Sequence, residues 1–119
     1  MKIQADEKNK TAIVTDIFIE IPQDALDLLA NVYYNYGCNN IIVDQSCLHQ
    51  DFFDLSTGLA GEITQKYVIY QVQLAIVGDF SIYPSQALQD YMRESNQGKH
   101  IFFCDSIEDA TKKLMQKSN

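Results

Sequence analysis

Three short, mostly apolar runs most constrain what this chain can fold into. They cover Ile41–Val43, Val72–Val77 and Ile101–Cys104. Runs of this length fit β-strands that are covered on both faces. Because right-handed crossovers through a helix make successive strands parallel, the runs predict an α/β fold with a parallel sheet.

Helices are predicted between these strands and after them. The first helix starts at Pro22 and ends at Gly37, because proline suits a first helical turn and glycine suits the left-handed residue that ends a helix. The other three are predicted to run from about Leu55 to Tyr70, from Pro84 to near Gln97, and onward from a cap at Ser106, with Met115–Asn119 frayed.

The N-terminal part of the chain adds antiparallel pairing to this sheet. The β-prone stretches Lys2–Asp6 and Thr11–Thr15 flank a polar segment and predict a hairpin. With 119 residues, no linker and no internal repeat, the chain is expected to form a single domain over 1–119. The predicted fold is a mixed sheet in which the hairpin is followed by alternating helices and parallel strands, with four helices in all.

Charge and cysteine content argue against several classes of function. The net charge is −7 and Arg93 is the one arginine of the chain, so we expect binding neither to nucleic acid nor to an anionic membrane. No apolar run reaches the roughly 20 residues that span a bilayer, and the acidic start lacks the features of a signal peptide. Three cysteines without a CxxC pair fit reduced thiols, which predicts a cytoplasmic location.

The order of these elements resembles the STAS domain, the fold of bacterial anti-sigma-factor antagonists. In that family a strand and a short loop precede an Asp-Ser-Ser/Thr-Gly-Leu signature that opens a helix. Asp54–Leu59 resembles this signature with Leu55 as an extra residue, and Asp105–Ala110 resembles the start of the last STAS helix. The resemblance implies a regulatory domain whose binding to a kinase partner is broken by phosphorylation at this junction.

A second family resembles the chain more specifically and over nearly its whole length. The segments that carry this resemblance are Asp51–Ile63, Ala75–Phe80 and Glu94–Asn96. Through them the chain is similar to a bacterial family described only as domain of unknown function 4180. This second resemblance implies no activity.

The junction before the second long helix is the first candidate site. Ser56 and Thr57 lie at the predicted helix start, where free N–H groups and the helix dipole would stabilise a phosphoryl group. The alternative is that Ser56 or Asp54 simply caps the helix. A docking surface here would also need an exposed apolar rim that includes Phe52 or Phe53.

Three aspartates form the second candidate site. Asp44, Asp79 and Asp105 each follow a predicted parallel strand, at the sheet edge where ligands of open α/β folds bind. Converging carboxylates can hold Mg²⁺, so these residues predict a small-ligand or divalent-metal site if the sheet order brings them together. The alternative is that each aspartate caps the following helix.

Cys47 and His49 lie in one loop and form the third candidate. They supply only part of a zinc site, and they could form a Cys–His nucleophile pair only if the loop brings them into contact. The alternative is that both are exposed polar loop residues.

Tyrosines form the fourth candidate. Tyr33, Tyr34 and Tyr36 cluster near one helix end, and Tyr34 falls off the apolar stripe of its helix, so an exposed self-association surface is one interpretation. The alternative is amphipathic packing, which spacing also predicts for Tyr67 and Tyr70 in the core.

No motif in the chain specifies an enzyme. The chain has no Gly-rich phosphate loop, no serine nucleophile elbow and no HExxH motif, so a non-enzymatic role without a cofactor is favoured. The leading prediction is a regulatory protein-interaction module that binds another protein or itself. The alternative is a small-ligand or divalent-metal-binding domain at the carboxyl edge of the sheet.

Overall fold

The fold is built on a mixed sheet of five strands. The computed structural model describes residues 1–117, and within them the strands lie in the order β1-β2-β3-β4-β5. They are β1 (Lys2–Asp6), β2 (Thr11–Thr15), β3 (Asn40–Asp44), β4 (Gln73–Val77) and β5 (Ile101–Cys104). β1 pairs antiparallel with β2, whereas β2 to β5 pair in parallel. The predicted α/β class, N-terminal hairpin and parallel strands are thereby confirmed.

Four helices occur within residues 1–117, as predicted. They are α1 (Pro22–Tyr36), α2 (Leu59–Tyr70), α3 (Gln86–Asn96) and α4 (Ile107–Lys117). Local signals set both ends of α1, because Asp24 accepts the main-chain N–H of Ile21 at 3.1 Å and Gly37 ends the helix with φ of +67°. In the part of the chain that the structure describes, no helix is long and apolar enough to cross a membrane.

Three helix boundaries differ from the predictions, at the starts of α2 and α3 and at the end of α4. α3 begins at Gln86 rather than Pro84, because the Ser85 hydroxyl accepts the N–H of Leu88 at 3.2 Å and so caps the helix. α4 stays helical through Lys117 instead of fraying from Met115. The remainder of the frayed end that we predicted, Ser118 and Asn119, lies outside the described residues.

The two faces of the sheet carry separate apolar layers. One layer packs the first three helices against alternate strand residues, which include Ile41, Val43, Leu74, Ile76, Ile101 and Phe103. The other packs Ala110 and Leu114 of α4 against the intervening residues, which include Ile42, Ala75, Phe102 and Cys104. Since the strands follow one another in chain order, right-handed crossovers place α1, α2 and α3 on the same face.

Asn96 closes the outer edge of β5. Its side-chain amide accepts the N–H of Phe103 at 2.7 Å and donates to the carbonyl of the same residue at 3.2 Å. The amide thereby takes the place of a neighbouring strand at Phe103. One of the two edge strands, β5, is therefore capped by a side chain, and β1 forms the other edge.

Candidate functional site

The junction before α2 is a separate 3₁₀ turn and not the first turn of the helix. Leu55–Thr57 forms this turn, and Gly58 follows it in the left-handed conformation with φ of +79°. The helix then begins at Leu59 rather than at Leu55 as predicted. The physical reason is the Asp54 carboxylate, which accepts the N–H of Ser56 at 3.1 Å and so closes a turn ahead of the helix.

Ser56 and Thr57 are both exposed, but both hydroxyls are hydrogen bonded. Ser56 Oγ donates to Asp54 Oδ1 at 2.6 Å. Thr57 Oγ1 donates to the carbonyl of Asp51 at 2.7 Å and accepts the N–H of Leu59 at 3.3 Å. Asp54 therefore caps the 3₁₀ turn and not α2, whereas Thr57 reaches the first N–H group of α2.

The two phenylalanines that the exposed-rim hypothesis requires are buried. Phe52 is 0 % exposed and Phe53 is 8 % exposed. Phe53 stacks on Tyr83 with 4.7 Å between ring centroids, and Phe52 contacts Phe103 at 6.2 Å. The prediction of an apolar rim at Phe52 or Phe53 is therefore wrong, because the loop folds back and both rings pack among other aromatic rings.

One local motif recurs at three aspartates, at the end of β3 and in the segments that follow β3 and β4. Asp44, Asp54 and Asp79 each accept a main-chain N–H and, at 2.6 Å, a hydroxyl from the serine two residues later. The hydrogen bonds from Ser81 hold the pKa of the Asp79 carboxyl below its usual value. Each of these carboxylates accepts hydrogen bonds within its own turn. This role differs from both predicted roles, which are a metal ligand and a cap of the following helix.

The strand-end aspartates do not assemble a metal site. Asp105 is exposed, and the cap of α4 is its neighbour Ser106, which accepts the N–H of Asp109 at 3.0 Å. Over residues 1–117, no three His, Cys, Asp or Glu side chains are grouped so that they could hold a metal ion. The strand order explains why no such site forms. Ligand crevices of open α/β sheets lie where the order of the strands reverses, and here the strands follow one another in chain order without a reversal.

Gln45 fills the space between the ends of β3 and β4. Its Oε1 accepts the N–H of Asp79 at 3.1 Å, and its Nε2 donates to the hydroxyl of Tyr83 at 2.5 Å. Gly78 allows this close approach, since a Cβ atom there would overlap Gln45 Oε1 and lie 2.6 Å from Gln45 Cβ. A packed side chain therefore occupies the carboxyl edge beside Gly78. The cavity beside Asp44 at the same edge holds about 80 Å³, which is smaller than an ordinary ligand pocket.

The cysteines are placed as core residues and not as nucleophiles. Cys38, Cys47 and Cys104 are all buried, and burial raises the pKa of each thiol, that of Cys104 to about 11. A nucleophilic or zinc-binding thiolate needs the opposite shift. His49 Nδ1 accepts the N–H of Asp51 at 3.0 Å, so this nitrogen makes a hydrogen bond within the loop. The prediction that Cys47 is an exposed loop residue is wrong, because its side chain packs into the core.

A groove of about 480 Å³ lies between α1 and the end of α2. We call it the tyrosine groove, and it is lined by Gln23, Leu26, Asp27, Leu29, Ala30, Tyr33, Tyr34, Tyr70 and Val72. The α1 residues among them recur every three or four positions, so they share one flank of the helix. This volume lies within the range of ordinary binding pockets, and the lining is mostly apolar.

Exposed aromatic rings surround the tyrosine groove. Tyr34 is 82 % exposed, Tyr70 is 58 % exposed and Tyr33 is 52 % exposed. Tyr33 and Tyr34 meet edge to face with 5.4 Å between ring centroids. The sequence signal for this site was Tyr34, which lies off the apolar stripe. Spacing predicts Tyr70 in the core, but the residue is exposed because α2 ends there.

A buried hydrogen bond holds the two helices of the groove together. The hydroxyl of Tyr67, a residue that is 0 % exposed, donates to the carbonyl of Ala25 at 3.0 Å. Burial raises the pKa of the Tyr67 phenol well above its usual value. At the polar end of the groove Gln23 donates to Asp27 Oδ1 at 2.8 Å, and Asp27 is the charged residue of the lining. The groove is thus apolar, aromatic and negatively charged at one end.

The fold and this groove define a small α/β domain with an aromatic concavity between α1 and α2. A family profile described as "Domain of unknown function (DUF4180)" matches residues 6–114. The chain therefore belongs to the DUF4180 family, as its resemblance predicted. No curated protein and no solved structure gives a significant match to the chain.

Proposed function

We propose that the protein is a non-enzymatic, regulatory protein-interaction module and that the tyrosine groove is its docking surface. The observation that carries this proposal is the exposure of Tyr33, Tyr34 and Tyr70 around an apolar concavity. Tyrosine is enriched at protein interfaces, and a rigid ring loses little conformational entropy when a partner covers it. Aromatic anchors of this kind contribute most of the binding energy in many interfaces.

Charge favours a partner with basic residues beside its apolar contacts. The chain carries a net charge of −7, α1 contains no lysine or arginine, and Asp27 places a carboxylate at the groove. A partner segment that combines apolar side chains with lysine or arginine would therefore be steered toward the groove and held there. A second copy docked at the same groove would bring like charge instead.

The groove is favoured over the carboxyl edge of the sheet as the functional surface. At that edge Gln45 fills the gap between the strand ends, and Asp44 and Asp79 accept hydrogen bonds within their own turns. The groove offers open apolar volume and exposed rings, which the edge does not combine. These observations favour protein docking over the alternative of a ligand or metal site.

Regulation is proposed at the Asp54–Gly58 turn, as the STAS resemblance implies. A phosphoryl group on Ser56 would place a charge of about −2 beside the Asp54 carboxylate, where a 2.6 Å hydrogen bond now joins the two side chains. Repulsion would open the turn that precedes α2. Mass spectrometry of the native protein should find phosphate here, and Ser56→Asp should change its partners. If neither effect is found, the proposal of regulation at this turn is wrong, whereas the proposal of docking at the groove is unaffected.

Photo-crosslinking in cells of the source organism tests the docking surface. A photoreactive phenylalanine analogue in place of Tyr34 should form a discrete adduct with another protein. The same analogue at Phe18 or Ile82, which are 54 % and 64 % exposed apolar residues away from the groove lining, is the matched control. Ala30→Lys, which keeps a good helix former but fills the groove with a positive side chain, should abolish the Tyr34 adduct. Equal adducts at all three positions, or an adduct that survives Ala30→Lys, would contradict the proposal.

A further inference from the structure

We propose that β1 pairs antiparallel with β1 of a second copy of this chain, so that one sheet runs through a weak homodimer. β1 is an edge strand, and among the described residues no strand lies on its outer side. This surface is separate from the tyrosine groove, whose lining comes from α1, α2 and Val72. The inference therefore does not depend on the proposed function.

The sequence of β1 is complementary to itself when the strand is reversed. In an antiparallel pair centred on Gln4, Lys2 of one copy lies opposite Asp6 of the second copy, and Ile3 lies opposite Ala5. Strand alternation places the two kinds of contact on different faces. Ile3 and Ala5 are half-buried and pack against the main core, whereas Lys2, Gln4 and Asp6 are exposed. Directly opposed ions of opposite charge and apolar neighbours both stabilise antiparallel pairs.

The charged ends of β1 are available for this pairing. Within residues 1–117, Lys2 takes part in no ion pair. Asp6 accepts the N–H of Asn9 at 3.2 Å and the side-chain amide of Asn9 at 2.7 Å, which fix its carboxylate beside the strand end. These hydrogen bonds favour the ionised carboxylate and hold the pKa of Asp6 below its usual value. A two-fold axis at Gln4 would form the Lys2–Asp6 pair twice.

The two edge strands differ in whether a side chain bonds their outer main-chain groups. The Asn96 amide occupies the outer N–H and C=O of Phe103 on β5, which blocks strand addition there. In the described part of the chain, no side chain bonds the main chain of Lys2–Ala5 in a comparable way. Open edge strands are templates for pairing with another chain, so pairing is directed to the β1 edge. With only five residues in each strand, we expect a dimer dissociation constant on the order of 100 μM.

Charge reversal combined with mixing tests the register of this dimer. Lys2→Glu alone and Asp6→Lys alone each place like charges opposite one another, and each should raise the dissociation constant about tenfold in sedimentation experiments. An equimolar mixture of the two variants restores opposite charges at both positions of a heterodimer. The mixture should therefore regain the dissociation constant of the unmodified chain to within about threefold.

A matched control separates the register from net charge and from folding. Lys99→Glu makes the same charge change as Lys2→Glu at an exposed position between α3 and β5, so it should leave the dimer unchanged. Circular dichroism of each variant checks that the hairpin survives loss of the Asp6–Asn9 hydrogen bonds. A monomer at about 1 mM protein, an unchanged dimer in Lys2→Glu, or folded variants that do not restore association when mixed would each overturn the proposal.

Discussion

The hydroxyl of Tyr67 on α2 donates to the carbonyl of Ala25 on α1 across 3.0 Å, in a place from which water is excluded. This hydrogen bond joins the two helices that form the walls of the tyrosine groove. A buried donor that keeps its partner adds a net stabilisation of about 1 kcal/mol. The bond therefore links the stability of the domain to the geometry of its proposed docking surface.

Tyr67→Phe should lower the free energy of unfolding by about 1 kcal/mol, because it removes the donor and keeps the buried ring. Urea unfolding followed by circular dichroism measures the change. Tyr33→Phe is the matched control, since its side chain is 52 % exposed and the same atom is removed at the surface. Equal effects of the two substitutions would show that the Tyr67–Ala25 bond contributes nothing specific.

Gly78→Ala should destabilise the protein by about 1–3 kcal/mol, because the new methyl group overlaps the packed Gln45 side chain. Gly61→Ala is the control, since no atom lies within 4 Å of a Cβ at that position inside α2. There the added methyl should stabilise by about 0.5–1 kcal/mol through helix propensity. Thermal unfolding of both variants checks the prediction, and equal or reversed signs would contradict the close Gln45 contact.

Asn96→Asp should cost about 1–3 kcal/mol, because a carboxylate oxygen replaces the amide donor that faces the Phe103 carbonyl. The unfolding free energy again measures the effect. Gln97→Glu makes the same change of charge at the next residue, which is exposed, and should stay within about 0.5 kcal/mol of the unmodified protein. If the two variants behave alike, Asn96 does not cap the β5 edge.

The stability of the protein should fall as pH rises from about 9 to about 11. Burial raises the pKa of the folded Cys104 thiol to about 11, from an ordinary value of 9.0, so the unfolded thiol ionises first in this interval. Below pH 9.0 both states keep the proton and the stability is fully present. Urea unfolding of Cys104→Ala should show a shallower decline over the same interval. Parallel curves for the two proteins would contradict the burial of this thiol.

Local chemistry accounts for the parts of the fold that the sequence predicts well. Pro22 and Gly37 bound α1 because each residue meets a backbone requirement of a helix end, and those limits are confirmed. The apolar run Ile101–Cys104 coincides with β5, because a continuous run of this length fits a strand that is covered on both faces. No contact with a distant segment is needed for either inference.

The candidate site depends on contacts between distant segments, and there the predictions were less accurate. The sequence predicts Phe53 as an exposed anchor. It is buried because its ring stacks on Tyr83, which lies thirty positions away in the chain. Whether Asp44 and Asp79 lie close together depends on the order of the strands in the sheet. Hydrophobic periodicity identifies strands but does not predict their order. Even the start of α2 was displaced by one side chain, because Asp54 closes a competing turn. Tyr34 was identified because its exposure follows from helical spacing alone.

The affinity of the partner captured at the groove tests the central claim most directly. Isothermal titration should show that Tyr34→Ala weakens binding at least about thirtyfold, or about 2 kcal/mol, as expected for an aromatic anchor. Phe18→Ala removes an exposed ring away from the groove lining and should change the affinity less than about twofold. An unchanged affinity in Tyr34→Ala, or an equal loss in Phe18→Ala, would contradict docking at the tyrosine groove.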